Sequence, residues 1–442
     1  MTIQLSDHFT YKRLLRFVLP SVVMLIFTSI YGVVDGLFVS NYVGKIPFAA
    51  LNLIFPALQA LGALGFMLGT GGSALVAKLM GEGKHQKANA VFSLLTYVTI
   101  GLGLAVSVLG MIFLRPLALF LGATEEMLPY CVLYGRILLA ANTCFMLQVQ
   151  FQSFMVTAEK PGLGLVITTA AGVTNMVLDW LFIAVFGWGL AGAAAATALS
   201  QAVGGLSPLF YFIWTRKSPL RLGKARLDGQ ALKHTCLNGS SEMLTNLSMS
   251  LVSMLYNFQL LRFAGEDGVA AYGVLMYLSF VFLAIFIGYS VGSAPIISYH
   301  YGAQNHQELQ NLTRKSLVIL ALSSLLMTGL GVGLAGPLSS IFVGYDAGLL
   351  AMTRRAMTIY SLSFLVTGFN IYGSAFFTAL NNGPVSAAIS FLRTLVFQII
   401  AVFLLPLIWG LDGIWFAVLA AEGAALAVSS WFFVRLKSRY HY

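Results

Sequence analysis

Apolar stretches long enough to cross a bilayer follow one another along this chain, separated by short runs of polar residues, Gly and Pro. A membrane-spanning helix needs about 20 apolar residues. Cutting the sequence at its polar punctuation gives twelve such segments, near 14–41, 48–79, 89–114, 125–156, 162–186, 189–215, 235–262, 269–299, 314–335, 348–379, 385–408 and 412–434. The pattern predicts an all-α membrane protein with twelve transmembrane helices. Composition agrees: 58% of the residues are hydrophobic and 9% charged, against about 25% charged in an average soluble domain.

The longest polar stretch, Arg216 to Lys233, lies at the midpoint and divides the chain into an N-terminal six-helix lobe (1–215), a linker (216–234) and a C-terminal six-helix lobe (235–442). Shifting the sequence by 221 positions, half its length, brings like onto like: Gly71 onto Gly292, Gly81 onto Gly302, His85 onto His306, Gln86 onto Gln307, Pro116 onto Pro337 and Gly192 onto Gly413. Six crossings return the chain to the face it started from. Two such lobes share one orientation and are related by a pseudo-twofold axis along the membrane normal.

The formal charge of +10 is explained first by topology, because Lys and Arg are retained on the cytoplasmic side. With the N-terminus inside, eighteen of the 25 basic residues fall in cytoplasmic segments and three (Lys45, Arg115, Arg262) outside; Arg136, Arg354, Arg355 and Arg393 fall within spans. The asymmetry predicts a multi-pass protein of the inner (plasma) membrane with both termini and the linker cytoplasmic, and no nucleic-acid partner. The opening MTIQLSDHFTYKRLLR runs into a segment too long for a signal core, so no cleavable leader is expected. Cys131, Cys144 and Cys236 show no paired spacing and read as packing residues.

Two acids interrupt the apolar runs, Asp35 in TSIYGVVDGLFVSNYVG and Asp179 in TNMVLDWLFIAVFG. A carboxylate at bilayer depth is costly, so each marks a functional site. At about 1.5 Å rise per residue, Asp35, Asp179 and Thr197 each lie roughly 9 to 14 Å below the outer face. Asn175 shares a helix face with Asp179, and Tyr31 with Asp35, each pair being four apart. This all-oxygen set suits a proton or a sodium ion; Thr197 or Asn175 alone would equally serve to tie helices together. Under the 221 shift Asp35 falls on Tyr256 and Asp179 on Ile400, so ion coupling is expected in the N-terminal lobe alone. In the C-terminal lobe Glu242 is expected to form a structural ion pair with Arg393, while Glu422 falls on Gln201 near mid-membrane. Gln150, Tyr256, Asn257, Met276 and Glu422 are candidates for a substrate pocket, with packing as the plainer role for the aromatics and Met. Arg136, Arg354 and Arg355 enter from the outer side and are expected to snorkel.

Asp35, Asn175 with Asp179 four later, Thr197 beyond them, and the loops GEGKHQKA and YGAQNHQE together resemble the multidrug and toxic compound extrusion (MATE) transporters over essentially the whole chain, and most closely the DinF-like branch. The resemblance implies two six-helix bundles opening alternately inward and outward, and export driven by proton or sodium entry. It assigns the ion site to Asp35, Asn175, Asp179 and Thr197, with Tyr31 one turn before Asp35, and makes Pro20 the point at which the first helix bends. The acidic pair of the C-terminal lobe in NorM-like members has no match, because Glu242 comes too early in helix seven and helix ten lacks an acid.

The function expected is export of amphipathic, often cationic drugs or toxic metabolites by a monomer in the lipid bilayer, with no cofactor beyond the coupling ion. A flippase for lipids or lipid-linked oligosaccharides shares the wider architecture, and Arg354 and Arg355 are its sequence argument. A major-facilitator transporter would carry an aspartate in the loop where this chain has LMGEGKHQKA. No nucleophile, base and metal-ligand constellation points to an enzyme.

Overall fold

The computed structural model describes residues 3–43, 45–215 and 218–442, with every side chain in them except those of residues 36, 37, 40, 41 and 45. Arg216 and Lys217 of the expected linker, and the side chains of Asn41 and Lys45, lie outside the described residues.

All regular structure in the described residues is helical. The first half comprises α1 (Tyr11–Tyr42), α2 (Lys45–Gly81), α3 (His85–Phe120), α4 (Leu128–Thr157), α5 (Pro161–Asp179, widened at its end by a π turn over Trp180–Val185) and α6 (Gly189–Trp214). Thr10 starts α1 by accepting the Arg13 amide on its hydroxyl at 3.3 Å. Helical backbone then runs through Gly229–Gly302, 74 residues. At about 1.5 Å per residue this exceeds three times the thickness of the hydrocarbon. It is two helices, α7 (229–264) and α8 (266–302), folded back at Gly265, whose φ of 64° suits only glycine comfortably. The reversal brings Ser253 and Tyr272 hydroxyls to 3.4 Å and stacks Tyr256 on Tyr272 at 5.3 Å. A straight helix would hold those pairs about 24 to 29 Å apart. After α9 (His306–Gly333) and a short helix at Ala335–Val343, α10 crosses as two pieces, Ala347–Ser361 and Phe364–Ala379, bent by 51°. α11 (Gly383–Trp409) contains a second π turn at Leu392–Val396, and α12 (Leu411–Tyr440) completes twelve crossings. Both termini therefore share one face, called here the terminal face.

The two halves meet through glycines placed by the repeat. A Cβ on Gly81 would strike the Tyr299 carbonyl, and one on Gly302 the Lys78 carbonyl. Gly71 lies against Gly239, and Gly292 against Val18. The 221 shift turns each contact into its mate, the reciprocity a twofold axis demands. All four close approaches lie in the half of the membrane nearer the terminal face. Asn381 Nδ2 adds a bond to the Ala74 carbonyl there, at 3.3 Å.

The segment before α1 lies across this closed face. The Leu5 amide donates to Glu159 Oε1 of the α4–α5 turn at 2.8 Å, and the Phe9 amide to Glu308 Oε1 at the start of α9 at 2.9 Å. His8 Nδ1 reaches Glu308 Oε2 at 2.5 Å, while Asn311 and Lys315 donate to the Phe9 carbonyl at 3.1 and 2.6 Å. Leu5 and Phe9 are wholly buried. Burial raises the pKa of Glu159, and the nearby Asp7 adds to the rise, against the opposing Leu5 amide and Lys160. One short strap thus joins both halves.

Within the second half, Ser374, Ser386, Ser390 and Thr378 form a chain of hydroxyl contacts of 2.7 to 2.9 Å between α10 and α11, which Ser241 of α7 joins at 3.4 Å. Such contacts tie helices that have no hydrophobic drive to associate in lipid.

Candidate ion site and its relatives

Asp35 projects from the outer half of α1 and Asp179 from the last α-helical turn of α5, immediately before the π turn. A π turn alters helix register locally and often accompanies a functional residue. Asp179 is wholly buried and Asp35 half-buried. The two carboxyls are immediate neighbours. Yet Asp35 Oδ1 and both oxygens of Asp179 find no hydrogen-bond donor among the described residues. Two groups that only accept cannot satisfy each other; a proton or cation between them would.

Asn175, one turn before Asp179, is 2% exposed and its Oδ1 also lacks a partner. Tyr31 sits beside Asp35, with Gln148 of α4 in reach of its hydroxyl. Tyr134 of α4 stands near both acids and is 1% exposed. Sequence reasoning passed over Tyr134 and Gln148, since nothing in the spacing of α4 brings them to this layer. Thr197 is half-buried on α6, and no hydrogen bond ties its hydroxyl to either carboxyl among the described residues. From the other half, Tyr277 of α8 lies within electrostatic reach of Asp35 and is 42% exposed.

Farther into the same half, Gln59, Asn142, Phe145 and Gln201 border a small cavity between α2, α4 and α6. Gln150 is wholly buried where α4 meets Gly69 of α2, with neither amide atom partnered. Tyr256 is packed away, its hydroxyl donating to Gln398 at 2.8 Å. Asn257 and Met276 are half-buried.

In the second half the expected Glu242–Arg393 ion pair is not what forms. Arg393, in the π turn of α11, donates its Nε to Glu422 at 2.9 and 3.1 Å, and Asn370 Nδ2 donates to the same carboxylate at 2.7 Å. Helix rotation decides the partner: Arg393 lies in the α11 π turn, which changes the register, and it meets Glu422 of α12, which is 3% exposed. Arg355, an argument for a flippase, is instead held at the surface by Asp412 at 2.5 to 2.8 Å.

The MatE family profile matches residues 20–181 and 242–404. The chain is 24% identical over 419 residues to the multidrug export protein MepA of Staphylococcus saprophyticus, covering 93% of this chain and 91% of that protein. It is 23% identical over 433 residues to MepA of Staphylococcus haemolyticus, covering 97% and 94%. In fold it is similar to a multidrug resistance MATE transporter solved in an outward-facing conformation, at a TM-score of 0.92 and 22% identity over 98% of this chain and 97% of that one. With two matched segments spanning most of the chain, one in each half, the protein belongs to the MatE family.

Proposed function

We propose that this protein is a cation-coupled antiporter that exports amphipathic, often cationic small molecules across the plasma membrane by alternating access. The reading rests on one observation above the rest: neighbouring carboxyls of Asp35 and Asp179, deep in the first half, with three oxygens lacking a donor. With Asn175 Oδ1 the donor set is oxygen throughout, which fits a proton or a sodium ion. The basic terminal face is the cytoplasmic one by the positive-inside tendency.

Two ionised carboxylates in a poorly screened interior repel each other, and an entering cation relieves that repulsion. Asp35 is on α1, and the same helix carries Val18 and Val22, which pack on Gly292 and Gly288 of the other half. Pro20 lies between those two contacts and leaves a backbone hydrogen bond unmade. Neutralising Asp35 therefore acts on the helix that helps close the terminal face. A cationic drug and the coupling ion compete for the same negative charge, which makes exchange the natural cycle.

The test is dye uptake into inverted vesicles under separately imposed proton and sodium gradients. Wild type should respond to one of them and Asp35→Asn to neither, at equal amounts of inserted protein. An undiminished response from Asp35→Asn contradicts the ion-site assignment.

A further inference from the structure

Arg393 uses only its Nε on Glu422; neither Nη makes a hydrogen bond among the described residues. Its side chain keeps 13% exposure, unusual beside a Glu422 side chain at 4%. Glu242 of α7 is near enough to feel the Arg393 charge, yet it forms no ion pair with it and its carboxylate accepts no hydrogen bond among the described residues. Asn370, wholly buried and bound to Glu422 through Nδ2, leaves its Oδ1 without a donor. Free guanidinium donors, an unpaired carboxylate across a gap too wide for a direct pair, and an unsatisfied amide oxygen are left over together in one place. Of these only Asn370 Oδ1 is both buried and unmet, while the Arg393 Nη atoms and the Glu242 carboxylate reach open space; a ligand carrying the complementary groups would satisfy all three.

We infer that Glu242, Arg393 and Asn370 form a second binding site, specific for zwitterions that carry a carboxylate and a cationic nitrogen. The ligand carboxylate takes the two Nη donors of Arg393, whose planar fork fits it. Its cationic end takes Glu242. Glu422 fixes the guanidinium from the far side and does not touch the ligand. The inference rests on the export reading above and narrows its substrates: the first half, with Asp35 and Asp179 and no arginine paired to them among the described residues, selects cations, and the second half admits molecules of zero net charge.

A rhodamine dye with a free benzoate, and its methyl ester, present one fluorophore as a zwitterion and as a cation. Both are followed by polarisation on the purified protein and by transport into inverted vesicles. Wild type should bind and move both. Arg393→Met with Glu422→Gln, which removes the pair as a unit, should weaken the free acid about tenfold and leave the ester unchanged. Glu242→Gln, which spares the ion pair and keeps the side-chain shape, should weaken the free acid several-fold even if the double variant does not fold. Equal losses for acid and ester, or none for the acid, overturn the site. Wild type that exports the ester but neither binds nor moves the acid overturns this inference alone; wild type that exports neither dye overturns the export reading with it.

Discussion

Single residues show where composition is a good guide and where it is not. Asp35 and Asp179 stood out because an acid in an apolar run is expensive, and that cost is visible without a structure. Tyr134 and Gln148 did not stand out, because polar side chains on an amphipathic-looking helix carry no mark of the helix they face. The Arg393 partner was misread for a related reason: depth along a helix is legible at about 1.5 Å per residue, but rotation changes at a π turn that leaves no trace in the sequence. Two residue-level outcomes follow. Asp179→Asn should remove ion-gradient response as Asp35→Asn does while folding normally, as fluorescence-detected size exclusion would show, since it replaces one unpaired acceptor set by an amide of the same shape. Glu422→Gln should lower the yield of folded protein, because breaking a buried pair costs about 3 to 5 kcal/mol. What folds should retain a gradient-dependent flux of the ester dye. Complete uncoupling in well-folded Glu422→Gln would move the ion site to the second half.

Among the helices, the twelve spans are legible from apolar length, with boundaries displaced by up to eight residues. The exceptions are informative. Residues 81–88 and 301–308 read as loops of equivalent sequence, and Gly81 and Gly302 at their starts are among the points where the halves touch. α10 is broken by 51° with no proline at the break, where Leu362 and Ser363 join its two pieces. The strap at residues 3–10 had no periodic pattern at all, and its role comes from tertiary hydrogen bonds to Glu159 and Glu308. Three expectations belong at this scale. Pro20→Ala should restore a hydrogen bond to α1, slowing turnover more than it weakens drug binding; normal transport with failed binding would refute a hinge. Gly81→Leu should hold the halves apart, at a cost of about 1 to 3 kcal/mol for overpacking. Greater reaction of a cysteine placed at Ala74 with a water-soluble thiol reagent would report it. Glu308→Gln should raise the same reactivity more mildly, by loosening the strap on its second-half side only.

At the scale of the whole molecule, two matched halves differ in what they bury. The pseudo-twofold repeats the glycine contacts faithfully, because helix approach in a membrane is set by small residues. It does not repeat the charges: an acid pair with unmet oxygens in one half stands opposite an acid, an arginine and a further carboxylate in the other. On the proposed reading, symmetry serves the movement, and asymmetry separates the ion from part of the cargo. The most direct test of ion coupling through the first half is uptake of tetraphenylphosphonium by proteoliposomes under an imposed proton or sodium gradient, wild type against Asp35→Asn, with equilibrium binding of the same cation measured alongside. We expect wild-type uptake to follow one of the gradients and Asp35→Asn uptake to ignore both, with the variant binding the cation more weakly because one acid of the pair is gone. Gradient-driven uptake that persists in Asp35→Asn would contradict coupling at this site.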